Sequence, residues 1–109
     1  MTKLINLIER AFCWEGDADA YLKKSDDPLI LKFAVSGSST CEHGGDESNI
    51  RANVSGLRGQ VVEEDGVRYT IISTEVNLGS PDYDEEDEDR DGEYSISVSG
   101  SVVVKKEKI

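Results

Sequence analysis

Apolar residues near the amino terminus recur at Leu4, Ile5, Leu7, Ile8, Ala11 and Phe12, which is the spacing of one helical face. Thr2 stands where an N-cap hydroxyl is favoured, so the pattern predicts a helix that must bury this stripe on another element. Gly16 and Asp17 interrupt it after Trp14. Ala18 to Lys24, with Asp17 at the start and Lys23 and Lys24 at the end, fit a short second helix aligned with the macrodipole.

After Pro28 the apolar period becomes that of a strand. Leu29, Leu31, Phe33 and Val35 alternate with Ile30, Lys32, Ala34 and Ser36, predicting a first strand. Residues 36 to 49, rich in Ser, Gly, Asp and Glu around Cys41 and His43, predict a loop. Ile50, Ala52 and Val54 then alternate with Arg51, Asn53 and Ser55, predicting a second strand towards Val62. Glu64-Asp65-Gly66 contains Asp-Gly, whose tolerance of positive φ suits a tight hairpin turn, and Val67, Tyr69 and Ile71 resume the alternation as far as Leu78. A fourth strand sets Tyr94, Ile96 and Val98 against Ser95, Ser97 and Ser99, then passes Gly100 into Val102-Val103-Val104 and the charged end Lys105-Lys106-Glu107-Lys108.

These elements predict an α+β fold: one or two N-terminal helices on the concave face of a twisted, mostly antiparallel four-stranded sheet in meander order. A small barrel-like closure is the alternative. Val-Ser-Gly occurs three times, at Val35 to Gly37, Val54 to Gly56 and Val98 to Gly100, each expected inside or at the end of a strand. Glycine in a strand marks a bulge, a bend or a close approach, so the echo predicts a strongly curved sheet wrapping the first helix.

Composition is compatible with a packed core. The chain has 109 residues, the size of one domain, and is read as one domain over 1–109. Leu, Ile, Val and Phe make up about a quarter of it, above the ~20% below which a highly charged chain stays disordered. The apolar run near the amino terminus stops at Glu9-Arg10, and none approaches the ~18 residues of a membrane span, so a soluble, cytoplasmic protein is expected.

Charge changes the picture more. The formal net charge is -11, which disfavours contact with nucleic acid or anionic membranes and favours basic protein partners. Residues 80 to 94 hold nine acids, Asp82, Asp84, Glu85, Glu86, Asp87, Glu88, Asp89, Asp91 and Glu93, against Arg90 alone, for a charge of -8. The other 94 residues carry only -3. The segment joins the third and fourth strands, where a hairpin needs only ~2 to 5 residues, so a long flexible loop at 80–93 is expected. Fully extended, it would carry one carboxylate per ~4.4 Å, close to the ~3.4 Å phosphate spacing of a DNA strand. Tyr83 adds an aromatic group suited to anchoring in a partner pocket. The expected activity is therefore inhibitory: a non-catalytic protein presenting Asp82 to Glu93 to a basic nucleic-acid-binding partner as a phosphate mimic, of the kind suited to phage anti-defence or anti-CRISPR roles. The alternative is a structural, assembly or immunity-type interaction protein whose acidic loop only aids solubility.

Other chemistry is less well supported. Asp87-Glu88-Asp89-Arg90-Asp91-Gly92 repeats the opening of a calcium loop, but the position needing a bidentate Glu falls on Val98, so no specific calcium site is expected. Cys13, Cys41 and His43 supply at most three good zinc ligands without knuckle spacing, and no metal or cofactor is expected. Cys13 fits a small apolar residue on its helix and Cys41 a loop thiol; His43 lacks a third group to orient it as a base for Cys41. The chain carries no phosphate-binding glycine loop, nucleophile elbow or zinc-protease motif, so catalysis is not expected.

Overall fold

The computed structural model describes residues 2–13, 16–41, 44–79 and 94–109. In chain order the elements are α1 (Thr2–Phe12), β1 (Gly16–Lys23), β2 (Ile30–Cys41), α2 (Gly44–Ser55), β3 (Val61–Glu64), β4 (Val67–Leu78) and β5 (Tyr94–Lys108). The α+β class agrees with the sequence, whereas the four-stranded meander does not: the described residues form five strands, all antiparallel, in the order β1-β2-β5-β4-β3. The last strand in the chain is inserted between two hairpins.

The amphipathic stripe of α1 is buried as its spacing requires, with Leu4, Ile8 and Phe12 fully enclosed. Each such side chain is worth ~1.5–3 kcal/mol relative to exposure. Thr2 is not the cap. It lies inside the first turn, and the Lys3 backbone N–H instead donates to Glu64 Oε2 of β3 at 3.2 Å. A distant carboxylate thus satisfies a donor that the helix itself leaves unpaired.

The helix expected over Ala18 to Lys24 is strand β1. Its residues alternate Asp17, Asp19, Tyr21 and Lys23 with Ala18, Ala20 and Leu22, and β2 supplies the backbone partners that overrule the helical propensity of Ala, Leu and Lys. The strand expected from Ile50 is helix α2, which buries Ile50 and Val54 and leaves Ala52 exposed. Leu57, buried just past the helix, completes an i, i+4, i+7 stripe, so the helical period prevails over the shorter alternation. Of the loop expected over 36 to 49, residues 42 and 43 lie outside the described residues and the rest is divided between the end of β2 and the start of α2. Leu29 precedes β2 and is 56% exposed, while Phe33 and Val35 face the core as expected.

The hairpin at Asp65-Gly66 forms as the dipeptide predicts, joining β3 to β4 with Asp65 at φ 54° and Gly66 at φ 77°. Alternation along β4 is interrupted once. Ile71 pairs with Val104 and Ser73 with Val103, so Ile72 is an extra residue in a β-bulge and is 47% exposed. The inward positions accordingly change from Val67, Tyr69 and Ile71 to Thr74, Val76 and Leu78.

Two of the three Val-Ser-Gly segments pair with each other. Val35 lies opposite Gly100, Ser36 opposite Ser99 and Gly37 opposite Val98 across β2 and β5. A Cβ at Gly37 would run into the Asp17 carbonyl and Ala18 Cα, and one at Gly100 into the Glu75 carbonyl and the Phe12 ring. The sheet curls over the helices where these missing side chains permit it. The third copy, Val54 to Gly56, is not in a strand but at the end of α2.

Candidate functional site

The acidic segment belongs to the β4–β5 hairpin. Asp82, Tyr83, Asp84, Glu85, Glu86, Asp87, Glu88, Asp89, Asp91 and Glu93 lie outside the described residues, but both of their flanks are fixed. Pairing of β4 with β5 runs from Val67 opposite Lys108 to Leu78 opposite Val98, and the Gly79 N–H then donates to the Ser97 carbonyl at 2.8 Å. Beyond that point Tyr94, Ser95 and Ile96 are held by β2, opposite Cys41, Thr40 and Ser39. A long antiparallel ladder therefore carries the segment at one end of the sheet.

The electrostatics of that end follow from strand order. Gly16 to Ala18 of β1, Gly37 to Cys41 of β2, the first turn of α2, Val76 to Gly79 and Tyr94 to Ser99 converge there, and none of these described residues is Lys or Arg. Six cations of the strands, Lys23, Lys32, Arg68, Lys105, Lys106 and Lys108, lie towards the opposite end. There Arg68 pairs with Glu63 at 3.0 Å and Lys105 with Glu107 at 3.2 Å. The nine carboxylates are thus attached where the described strand ends and the first turn of α2 carry no Lys or Arg. Attraction between opposite charges fades over about 10 Å at ordinary ionic strength, so cations at the far end of the sheet do little to neutralise them.

The remaining candidates can also be placed. Val98, at the position where a calcium loop needs its bidentate Glu, is buried in β5. Cys13 lies just beyond the end of α1 rather than on it, and its thiol donates to the Ser38 carbonyl at 3.6 Å. His43 and the Cys41 side chain lie outside the described part of the molecule. Among the described residues no group of three or more His, Cys, Asp or Glu side chains is arranged to hold a metal ion, and no helix is long and apolar enough to cross a membrane.

One surface was not anticipated from the sequence. Lys3, Asn6, Leu7 and Arg10, at i, i+3, i+4 and i+7 on α1, form one wall of an open cleft of about 460 Å³ whose other wall is Val61, Val62 and Glu63 of β3. The spacing of these four was visible, but the wall they face depends on where β3 folds. Beside the cleft, Glu64 is held below its ordinary carboxylate pKa, chiefly by a hydrogen bond from the amino terminus, with the Lys3 N–H and ammonium adding to it against partial desolvation. The cleft sets Lys3, Arg10 and the acidic Glu63 around the apolar Leu7, Val61 and Val62. Compared with known proteins, the chain matches no family model, no curated protein and no solved structure.

Proposed function

We propose that this chain is a non-catalytic, protein-binding inhibitor that presents Asp82 to Glu93 to the basic groove of a nucleic-acid-binding protein. One observation carries this reading: a segment with a net charge of -8 is mounted on the end of the sheet whose described residues include no Lys or Arg. Self-repulsion among the carboxylates is then relieved by cations from outside the domain. A groove built for phosphates supplies them at matching spacing, and the long-range field accelerates encounter before close contact forms. Tyr83 adds one aromatic anchor to an otherwise electrostatic contact. An anti-defence role, blocking a nuclease that must grip nucleic acid, is one setting this chemistry suits.

The test begins with capture of binding partners on the intact protein and continues with nucleic-acid competition for each partner. Replacing Asp82 to Glu93 by a Gly-Ser turn, or its acids by Asn and Gln, is expected to abolish inhibition while keeping or raising the melting temperature. Binding by the parent is expected to weaken steeply with salt. Full-strength inhibition by the shortened protein would overturn the reading.

The open cleft between α1 and β3 favours a second reading, in which the chain is a non-catalytic assembly protein and the acidic segment only confers solubility. Binding that survives both the replacement and high salt, and is lost on Leu7→Asp in the cleft floor, would select it.

A further inference from the structure

Among the described residues the sheet ends in two edge strands, and they differ in length. Edge strand β3 has four residues, and its Glu63 is already engaged by Arg68. At the other edge, β1 has eight residues, its register with β2 unbroken from Gly16 opposite Ser39 to Lys23 opposite Lys32. Neither proline nor bulge interrupts β1, so its outer row of N–H and C=O groups is a template for another strand. Tyr21 and Leu22, on opposite faces of β1, are 51% and 49% exposed.

The charges on β1 form a symmetrical pattern. Asp17, Asp19, Tyr21 and Lys23 share the convex face, and Asp17 and Lys23 are equidistant in sequence from Ala20. Asp17, Asp19 and Lys23 form no ion pair among the described residues. Lys23 instead lies directly opposite Lys32, a like-charge cross-strand pair that costs stability while it lacks a carboxylate.

We propose that β1 is the docking edge for a second copy of this chain, the two β1 strands pairing antiparallel about a two-fold axis at Ala20. In that register Asp17 of each copy lies opposite Lys23 of the other, so the contact forms two opposite-charge pairs at once. Each incoming carboxylate also separates the Lys23 and Lys32 charges from an otherwise unfavourable pairing. Ala18 of each copy meets the half-exposed Leu22 of the other on the concave face, and Asp19 meets Tyr21 on the convex face. Neighbouring registers are poorer. Centring on Asp19 sets that carboxylate against itself, and centring on Tyr21 pairs Asp19 with Lys23 but leaves Asp17 unpaired and shortens the stretch of β1 that pairs with itself from 17–23 to 19–23. A slip that faces odd against even positions would bring side chains from opposite faces of the sheet together. Antiparallel pairing also sends the two acidic segments to opposite ends of a ten-stranded sheet, where screening weakens their mutual repulsion.

Sedimentation equilibrium of the full chain over a concentration series tests the interface. The expected mass rises from 12.0 kDa towards twice that value. Asp17→Lys alone or Lys23→Asp alone turns both symmetric pairs into like-charge pairs and is expected to weaken association by about tenfold or more. The double variant Asp17→Lys/Lys23→Asp restores opposite charges and is expected to return association to within about threefold of the parent. Both side chains are exposed, and recovery in the double variant separates lost association from misfolding. Hydrogen exchange is expected to show concentration-dependent protection of β1 amides and none of β3 amides. A mass of 12.0 kDa at every concentration, single variants that associate like the parent, a double variant that stays weak, or protection on β3 instead of β1 would each overturn the proposal.

Discussion

Phe12 packs over Gly100: a Cβ added to that glycine would come within 2.7 Å of the Phe12 ring carbon Cε1. The aromatic side chain closing the first helix and the missing side chain in the central strand are two halves of one contact. Gly100 also lies opposite Val76 of β4 and Val35 of β2, so this contact marks the middle of the curl.

Gly100→Ala is therefore expected to destabilise the protein by at least the ~1–3 kcal/mol typical of an overpacked core. Shrinking the ring with Phe12→Leu in the same chain is expected to recover only part of the loss, because the Glu75 carbonyl still obstructs the new methyl group. Denaturant midpoints of the two single variants and the double variant check this. Full additivity of the two losses would show that the ring and the glycine are not coupled.

Deletion of Ile72 is expected to leave the protein folded at a cost below about 2 kcal/mol. Without it Ile71 still faces inward opposite Val104, Ser73 still faces outward opposite Val103 and Thr74 still faces inward, so the ladder becomes regular. A cooperative unfolding transition measured by circular dichroism would confirm that the bulge is dispensable. Its disappearance would mean that the extra residue is needed to bend β4 around the helices.

Acid is expected to weaken the hold of β3 on α1. Because Glu64 has a folded-state pKa lower than its ordinary value of 4.5, its contribution is complete above that value and is lost as pH falls through the folded pKa. The melting-temperature gap between the parent and Glu64→Gln is expected to be widest near about pH 7 and to close in acid. A gap that stays constant across that range would show that the Glu64 charge plays no part in holding the helix terminus.

Much of the fold was legible because several segments favour one period only. In α1, Leu4, Ile8, Ala11 and Phe12 fit a helix and no strand, while Ser95 to Ser99 alternate too regularly for a helix. Asp65-Gly66 carries its turn in two residues. Ile50, Ala52 and Val54 fit either period, and Leu57 is what favours the helix, because it falls on the same face one turn further on. For β1 the local preference pointed the wrong way, since Ala, Leu and Lys favour a helix and only the neighbouring edge of β2 supplies the hydrogen bonds of a strand.

The candidate site was readable in the same uneven way. Nine carboxylates in one segment are a property of composition, visible without a fold. That the surrounding end of the sheet lacks Lys and Arg depends on pairings as distant in sequence as Gly37 with Val98, which no local pattern reports. The symmetry of Asp17 and Lys23 about Ala20 likewise had no meaning until those residues formed an edge strand.

The place of β5 has a consequence for synthesis. The two hairpins β1–β2 and β3–β4 are each complete by Leu78, yet neither contacts the other through the sheet until Tyr94 to Lys108 comes between them. Until β5 has been made, each half keeps one unpaired inner edge. Pairing strands this distant in sequence requires the closure of long loops, which slows folding, and until then the inner edges of β2 and β4 are open to misassembly. Co-translational chaperones would find their longest-lived targets there.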